Sequence, residues 1–394
     1  MSAADPEVVY LHPHLTIEGG AGRVVLETGA RLARQGVRVS ALTIKADDAI
    51  VGEYRDAIRF IELGGPLSSE LLFWLGLPAL QRKVNRALDA LPDAVVFPQV
   101  FPSNWWGMTY KALRPKRRVV WLCNEPSAFL HTKEWIDALP PSSVKAAGKL
   151  LGPLLRALDI WLMRRADCVL ANSEWTRKYT QEVYRFPEGR VFTVHLGVDL
   201  STFSPKDGPR ARRFVCVGRV TRFKNVDVVI RAVARLRGRG YQDLRLDVIG
   251  RGEEEQKIAE LVRELALGSQ VFMRGALTKG ELVDTLQTSR GLVLASVNEP
   301  FGLVSVEAMA CGTPAIVTGS GGPAETVAHG VSGIVLPAGP PSPEALADAM
   351  ETLLDEACFL RLSAGAVARA AAFSIDRTTE LIRAHLFGEE SDRR

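Results

Sequence analysis

Short apolar runs alternate with amphipathic segments along the 394-residue chain. Apolar positions recur at helical spacing over residues 24–35, 226–237 and 377–387, whereas the short runs between such segments are typical of buried strands. This alternation predicts α/β units around parallel sheets. The predicted strands are 8–11, 37–43, 94–97, 118–122, 168–171, 214–218, 244–250, 271–273, 291–295, 315–317 and 333–336.

The alternation is interrupted by a polar segment with prolines and a glycine, residues 203–210, which is typical of a linker. The chain is also too long for one ordinary core. We therefore predict two Rossmann-like domains, 1–204 and 205–375, followed by a C-terminal helix in 376–394 that could pack back on the N-terminal domain. Ligands of open α/β sheets bind at the carboxyl ends of the strands, so two facing domains would form a deep cleft.

Composition narrows the class of protein. Hydrophobic residues make up 47% and charged residues 24%, as in soluble globular proteins, and a net charge of +4 is too small to indicate nucleic-acid binding. The five cysteines are odd in number and lack CxxC spacing, which argues for reduced, buried thiols and against a disulfide framework or a metal site. With no signal-peptide pattern and no uncharged apolar run of membrane-spanning length, we expect a cytoplasmic protein.

Glycines follow the first predicted strand at Gly19, Gly20 and Gly22, with Ala21 between them. A glycine-rich loop before a helix lets the backbone approach an anion closely. The spacing is not GxGxxG and no acidic residue ends the second strand, which argues against a dinucleotide cofactor. The alternative is a tight turn that only needs glycine.

A second candidate follows the first strand of the C-terminal half, where Gly218, Arg219 and Lys224 lie close together. Arginine can bind two phosphate oxygens at once, and lysine adds a point charge, so the pair suits a diphosphate. The alternative is a solvated basic loop. Arg251 and Gly252 form another glycine-bearing strand end.

The most informative segment runs from Glu299 to Glu307, between a predicted strand and a predicted helix. The turn Phe301, Gly302, Leu303 presents backbone N–H groups at a helix N-terminus, where a phosphate binds well. Two carboxylates there would favour sugar hydroxyls. Alternatively, Glu299 is a solvated loop residue and Glu307 an ordinary helix residue.

In their order along nearly the whole chain, these motifs resemble the retaining GT-B glycosyltransferases of glycosyltransferase family 4. The resemblance rests on two glutamates separated by seven residues, the Arg219 and Lys224 pair, and the N-terminal glycine loop. It implies an α/β GT-B fold with two Rossmann-like domains whose parallel sheets face each other across a deep cleft. Residues 1–204 would bind the acceptor and 205–375 the nucleotide-sugar donor.

The resemblance also implies a role for each motif. Arg219 and Lys224 would hold the donor diphosphate. Glu307 would bind the ribose and Glu299 the sugar. The remaining donor contacts would come from the backbone and neighbouring side chains of Gly19, Gly20, Ala21, Gly22, Gly218, Arg251, Gly252, Phe301, Gly302 and Leu303.

Two positions depart from the family pattern. Asn124 stands where many members carry a histidine, and Gly22 where related sequences often carry glutamate. Asparagine can hydrogen-bond a sugar or acceptor hydroxyl, but it cannot exchange a proton near neutral pH. Glu125 or His131 could compensate, although a lone loop histidine such as His131 is expected to be exposed.

We therefore expect a retaining, metal-independent and cofactor-free transferase. It would move a mannosyl, glucosyl or N-acetylhexosaminyl unit from a nucleoside-diphosphate sugar to a hydroxyl of a glycan, glycolipid or small molecule. The alternatives are a nucleotide-sugar 2-epimerase and a non-catalytic sugar-nucleotide-binding subunit, for which Asn124 is the main argument.

Two apolar stretches and a basic cluster in the N-terminal half allow two interpretations. The apolar stretches 71–77 and 150–163 and the basic residues from Lys111 to Arg118 would suit a polyprenyl-linked acceptor and peripheral contact with the inner face of the membrane. The alternative is a pair of core helices and a solvated run of charge.

Overall fold

The structure, a computed structural model, describes residues 5–16, 19–65, 70–132 and 143–388. It divides into two compact units. Unit 1 contains the described residues up to His195 together with those from Asp376 onward, and unit 2 is Leu196–Ile375. The domain boundary predicted at residue 204 falls inside unit 2.

Unit 1 is built on parallel strands. One sheet has the order β5-β3-β1-β6 and another the order β7-β8-β9. A bridge between Val96 and Val119 connects them, and the Val96 N–H donates to the Arg118 carbonyl oxygen at 3.0 Å. The strands are β1 Glu7–Leu11, β2 His14–Leu15, β3 Arg38–Thr43, β4 Lys45–Ala46, β5 Arg59–Glu62, β6 Val95–Pro98, β7 Val120–Cys123, β8 Cys168–Ala171 and β9 Val191–Thr193.

Helices cover these sheets, and the last helix of the chain returns to unit 1. The Thr378 hydroxyl donates to the His195 carbonyl oxygen at 2.9 Å, and the Arg31 Nε donates to Asp376 Oδ1 at 2.7 Å. The helices are α1 Gly20–Arg34, α2 Asp48–Val51, α3 Glu70–Asp89, α4 Ser103–Leu113, α5 Ala128–His131, α6 Ser143–Met163, α7 Glu174–Tyr184 and, at the C-terminus, α15 Ile375–Phe387.

Unit 2 has one six-stranded parallel sheet with the order β12-β11-β10-β13-β14-β15. The order reverses between β10 and β13, and in such sheets the crevice outside the carboxyl ends at the reversal is where ligands bind. The strands are β10 Arg213–Val217, β11 Arg245–Ile249, β12 Val271–Gly275, β13 Gly291–Leu294, β14 Ala315–Thr318 and β15 Gly333–Leu336.

The helices of unit 2 pack against this sheet, and aliphatic side chains from strands and helices together form its core. They are α8 Val226–Gly238, α9 Glu255–Glu264, α10 Lys279–Gln287, α11 Leu303–Ala310, α12 Pro323–Thr326, α13 Pro343–Thr352 and α14 Glu356–Ala370. The predicted α/β class with parallel sheets is confirmed.

Two features differ from the sequence prediction. Four strands were not predicted: β2 and β4 have only two residues each, β5 has half-buried and exposed residues, and β9 is only three residues long. Helix α1 begins at Gly20 and not near residue 24. Among the described residues, no helix combines the length and the apolar character needed to cross a membrane.

Candidate functional site

A depression in unit 2 lies where β10, β11 and β13 end. It is lined by apolar residues of these strands and by three residues of the β10–α8 loop, Gly218, Arg219 and Lys224. The Cys216 thiol also lines it, and burial raises the pKa of this thiol to about 12. The thiol is therefore protonated near neutral pH, so the charged groups of the depression are the candidates for chemistry.

Glycines allow the strand ends to approach each other. Gly218 and Gly250 have φ angles of +138° and +127°. A Cβ atom on Gly250 would lie 2.0 Å from the Gly218 carbonyl oxygen, and one on Gly252 would lie 2.2 Å from the Val220 carbonyl oxygen. Any side chain at either position would push the β10–α8 loop away from β11, so the shape of the depression depends on these glycines.

Arg219 and Lys224 bring positive charge to the same depression but differ in environment. The Arg219 side chain is 70% exposed, and its Nε lies 3.7 Å from Glu253 Oε2. Lys224 ends a short 3-10 turn that begins at Arg222, and its Nζ donates to Glu299 Oε2 at 2.5 Å. Two groups that the sequence predicted separately are thus in direct contact.

Asn225 holds this loop in place, and the sequence analysis missed it. Its φ of 49° lies in the left-handed region, which asparagine tolerates better than most residues. Its side-chain amide donates to the Ala295 carbonyl oxygen, just beyond β13, at 2.9 Å. In the sequence, Asn225 could have been recognised as a residue that begins a helix, because it directly precedes an apolar run with helical spacing.

The turn that carries Glu299 is fixed by its own backbone. The Glu299 carbonyl oxygen accepts from the Gly322 N–H at 2.9 Å, and Glu299 forms a bridge with Gly321. Gly302 caps α11 with a φ of +73°, and a Cβ there would lie 2.7 Å from Pro323 Cγ. The turn is therefore rigid enough to present a carboxylate and backbone N–H groups in one geometry.

The first hydrogen bond of α11 runs from the Ser305 N–H to the Gly302 carbonyl oxygen, at 2.8 Å. The N–H of Leu303 precedes it and belongs to the unpaired first turn, at the positive end of the helix dipole. Phe301 is buried, and its ring lies 6.3 Å from that of Phe373. Glu307 lies in the second turn and is 3% exposed.

The other two predicted residues of unit 2 lie beside β11. Arg251 is exposed, and its guanidinium lies next to Gly275. The Gly252 N–H donates to Glu255 Oε1 at 2.5 Å. Gly252 thus serves close backbone packing, and its N–H binds the side chain of the first residue of α9.

In unit 1, the predicted glycine loop is wrong in one respect. Gly19 is the N-cap of α1, and Gly20, Ala21 and Gly22 form its first turn. The first intrahelical hydrogen bond runs from the Arg23 N–H to the Gly19 carbonyl oxygen, so the N–H groups before it have no helical partner. The anion-binding expectation therefore moves from a loop to the first turn of a helix.

Four polar side chains follow the carboxyl ends of neighbouring strands in unit 1. They are His12 after β1, Gln99 after β6, Asn124 after β7 and Asn172 after β8. The Asn172 amide donates to the Asn124 main-chain oxygen at 3.0 Å.

Each of these four side chains has buried polar atoms whose hydrogen-bonding capacity is not used. Within the described part of the chain, several of their buried atoms have no hydrogen-bond partner: His12 Nδ1, both polar atoms of the Gln99 side chain, both of the Asn124 side chain, and Asn172 Oδ1. Unpaired buried polar groups are costly and are usually satisfied by water or a ligand. A polar residue directly after each apolar strand was the signal in the sequence, but only Asn124 was predicted.

Burial also changes the chemistry of His12. Burial is the main reason that the pKa of the imidazole is lowered to about 4; the neighbouring His14 charge contributes to this lowering, and the Gln99 carboxamide opposes it to a smaller extent. His12 is therefore neutral near pH 7 and can donate or accept one hydrogen bond.

The expectation that His131 is exposed is wrong. Its side chain is 7% exposed, and Nε2 lies 2.8 Å from Oδ2 of Asp159, which is fully buried on α6. The Asp159 carboxylate also accepts from Trp105 Nε1, Ser127 Oγ and the Tyr184 hydroxyl at 2.5, 2.9 and 2.8 Å. A buried carboxylate needs such donors, so His131 anchors the segment that follows β7.

Comparison with known proteins agrees with this geometry. Residues 18–202 match the family model Glycosyltransferase Family 4, and residues 203–369 match Glycosyl transferases group 1. A D-inositol 3-phosphate glycosyltransferase of Mycolicibacterium gilvum is 30% identical over 343 residues, which cover 81% of this chain and 74% of the relative. D-inositol 3-phosphate glycosyltransferase 1 of Catenulispora acidiphila is 29% identical, covering 94% of this chain and 92% of the relative.

Solved structures show the same fold. Sucrose-phosphate synthase from Thermosynechococcus elongatus has a TM-score of 0.78 at 23% identity, covering 97% of this chain and 99% of that one. Anabaena HepE in complex with UDP-glucose has a TM-score of 0.76 at 18% identity, with the same coverage. The predicted GT-B fold class is confirmed. The chain belongs to glycosyltransferase family 4 and is a glycosyltransferase that uses a nucleotide sugar.

Proposed function

We propose that this protein is a retaining, metal-independent hexosyltransferase that moves a sugar from a nucleoside diphosphate to an acceptor hydroxyl. The observation that carries the proposal is the contact between Lys224 and Glu299, beside Arg219, at the carboxyl ends of β10 and β13. A cation for phosphate and a carboxylate for hydroxyls, 2.5 Å apart, match the two halves of a sugar diphosphate.

Arg219 and Lys224 bind the donor diphosphate in this proposal. Without substrate, Lys224 is neutralised by Glu299, and Arg219 forms a looser, exposed ion pair with Glu253 at 3.7 Å. Phosphate oxygens then replace these carboxylates, and the two cations stabilise the negative charge that develops as the bond to the sugar breaks. Such neutralisation is the role that a divalent cation would otherwise fill.

Glu299, released from Lys224, accepts hydrogen bonds from hydroxyls of the donor sugar. Glu307, in the second turn of α11, binds the ribose hydroxyls. Backbone N–H groups of Phe301, Gly302 and Leu303 contact the sugar or the β-phosphate, as the first turn of α11 suits a negative charge.

The proposed step breaks the bond between the anomeric carbon and the diphosphate oxygen, and the acceptor oxygen forms its bond on the same face. The acceptor proton passes to the departing diphosphate oxygen, so atoms and charge balance without a protein base. Positioning and charge stabilisation then supply most of the catalysis. Asn124, which cannot exchange a proton near neutral pH, fits this scheme as a hydroxyl-binding group.

Unit 1 supplies the acceptor contacts in this proposal. The unpaired atoms of His12, Gln99, Asn124 and Asn172 suit an acceptor with several hydroxyls. The N–H groups at the start of α1, including those of Gly20 and Gly22, precede its first intrahelical hydrogen bond and suit a phosphate. Because the relatives named above act on D-inositol 3-phosphate, that polyol phosphate is the first acceptor to test, with glycan and polyprenyl-linked acceptors next.

A donor panel tests the proposal. The purified protein is incubated with UDP- and GDP-linked glucose, mannose and N-acetylglucosamine, with and without D-inositol 3-phosphate, and the released nucleoside diphosphate and the anomeric configuration of the product are measured. We expect acceptor-stimulated release and retention of configuration, also in the presence of a chelator. Conversion of the donor to an epimer, or binding without turnover, would contradict it.

A further inference from the structure

Helix α6 exposes its apolar face and buries its acidic residue. Leu151, Leu154, Leu158 and Trp161 are 47%, 68%, 40% and 52% exposed, and their spacing places them on one side of the helix. Asp159, on another side, is fully buried in the cluster with Trp105, Ser127, His131 and Tyr184 described above. Together with Leu162 and Met163, which are buried in the core of unit 1, Asp159 fixes the inner side of the helix, and these four apolar residues remain exposed to solvent.

The exposed apolar residues of α6 form a cluster, unlike those elsewhere in the described chain. Among the described residues, seven large apolar side chains are exposed, and four of them lie on this one helix. The others, Leu113, Val331 and Leu360, occur singly. Single exposed apolar residues are normal, whereas a contiguous exposed apolar patch marks an interaction surface.

The exposed charges described on α6 and directly after it are positive. Arg156 on α6 and Arg164 and Arg165 just after it are at least partly exposed, and Asp159 is the single acid between residues 143 and 166. The Arg165 guanidinium lies 3.2 Å from the centre of the Trp161 ring, which places a cation directly on the apolar face. An apolar face bordered by arginines is complementary to an anionic amphiphile.

Four of the five basic residues from Lys111 to Arg118, by contrast, bind groups of unit 1. Lys111 Nζ binds Asp167 at 2.8 Å, and Arg114 binds Asp89 at 3.1 Å. Arg117 and Arg118 donate to main-chain oxygens of unit 1. The side chains of residues 71–75, in the other apolar stretch, lie outside the described part of the chain.

We propose that the surface formed by Leu151, Leu154, Leu158 and Trp161 docks on a membrane that contains anionic lipid. A second copy of the chain fits less well, because a two-fold interface pairs the same patch with itself and would bring arginines together without an acidic partner. The acyl–headgroup boundary accepts leucine and tryptophan, and its phosphates neutralise the arginines. The proposal rests on α6 alone and does not depend on the proposed reaction.

Vesicle co-sedimentation tests it without any substrate. The probes are vesicles of phosphatidylcholine alone and of equal parts phosphatidylcholine and phosphatidylglycerol. We expect the protein to bind the anionic vesicles, less so as salt is raised, and Leu154→Gln/Trp161→Gln to weaken binding ~10-fold or more. Arg164→Gln/Arg165→Gln should weaken binding to the anionic vesicles only. The matched control is Leu360→Gln, an equally exposed leucine of unit 2, which should bind like the wild type.

Circular dichroism and the melting temperature confirm that each variant folds. Equal binding of the wild type and Leu154→Gln/Trp161→Gln, or no binding of the wild type to anionic vesicles, would overturn the proposal. So would a dimer in size-exclusion chromatography with light scattering that the same double substitution dissociates, since the face would then be a surface between copies.

Discussion

Lys224 Nζ lies 2.5 Å from Glu299 Oε2, although the two residues are 75 positions apart in the chain. The strand order places β10 next to β13, and the loops after these strands carry the two side chains. About a fifth of each side chain is exposed, so water and a ligand can both reach the pair. The contact holds two opposite charges together; in the proposed function, a ligand with a phosphate and hydroxyls separates them.

The first prediction concerns this pair. Lys224→Ala should weaken binding of the nucleoside diphosphate roughly 10- to 100-fold, since a charge-assisted hydrogen bond to phosphate contributes about 1.5–3 kcal/mol. In Lys224→Ala/Glu299→Gln the loss should be smaller than the sum of the single losses, because the residues are in contact. Calorimetric titration with UDP and GDP measures this. Additive effects would show that the pair does not act as a unit.

The second prediction concerns the glycines that shape the depression. Gly250→Ala should abolish measurable nucleotide binding, because its Cβ would meet the Gly218 carbonyl oxygen at 2.0 Å and its φ is +127°. Gly238→Ala is the control, as it lies at the end of α8 with no atom within 4 Å of its Cβ. The control should bind normally. Normal binding by Gly250→Ala would mean that the loop tolerates displacement.

A third prediction concerns the Asp159 cluster. Asp159→Asn should lower the free energy of unfolding by about 3 kcal/mol, since it leaves buried donors without their charged acceptor. Asp348→Asn, which removes an exposed carboxylate paired with Arg239, should cost less than about 1 kcal/mol. Denaturant titration of both variants measures the difference. Equal losses would show that the buried cluster contributes no more than a surface ion pair.

The fourth prediction follows from His12. Its pKa of about 4 in the folded protein lies below the ordinary value of 6.5, so the unfolded chain binds more protons between these values. Stability should therefore fall as pH decreases from about 6.5 to 4, by up to about 3 kcal/mol from this residue. His12→Gln should flatten this dependence. His14→Gln should keep most of it, because burial is the larger cause of the shift. Parallel pH profiles for the wild type and His12→Gln would contradict the assignment.

Much of the fold could be predicted from the pattern of apolar residues. Strands β8 and β15 begin and end at the predicted residues, because both are short apolar runs with polar residues before them. Strand β5 was missed because its ends, Arg59 and Glu62, are exposed and charged. A short edge strand such as β5 is defined by its hydrogen bonds to the neighbouring strand β3, which its own composition does not reveal.

The candidate site was predictable as a set of motifs but not as a set of contacts. The sequence indicated Lys224 and Glu299 separately, and only the order of β10 and β13 shows that they touch. The unpaired atoms of Gln99 and Asn172 and the Asp159–His131 pair depend on side-chain positions across several elements. Periodicity and spacing carry no information about such positions.

The most direct test of the central claim is the rate of donor turnover by Glu299→Gln. This substitution keeps the shape of the side chain and removes the charge that the proposal assigns to the sugar hydroxyls. We predict that the variant still binds the nucleoside diphosphate, while kcat for acceptor-stimulated release falls ~100-fold or more. Wild-type turnover by the variant, with binding and folding intact, would contradict the assignment of Glu299 to the donor sugar.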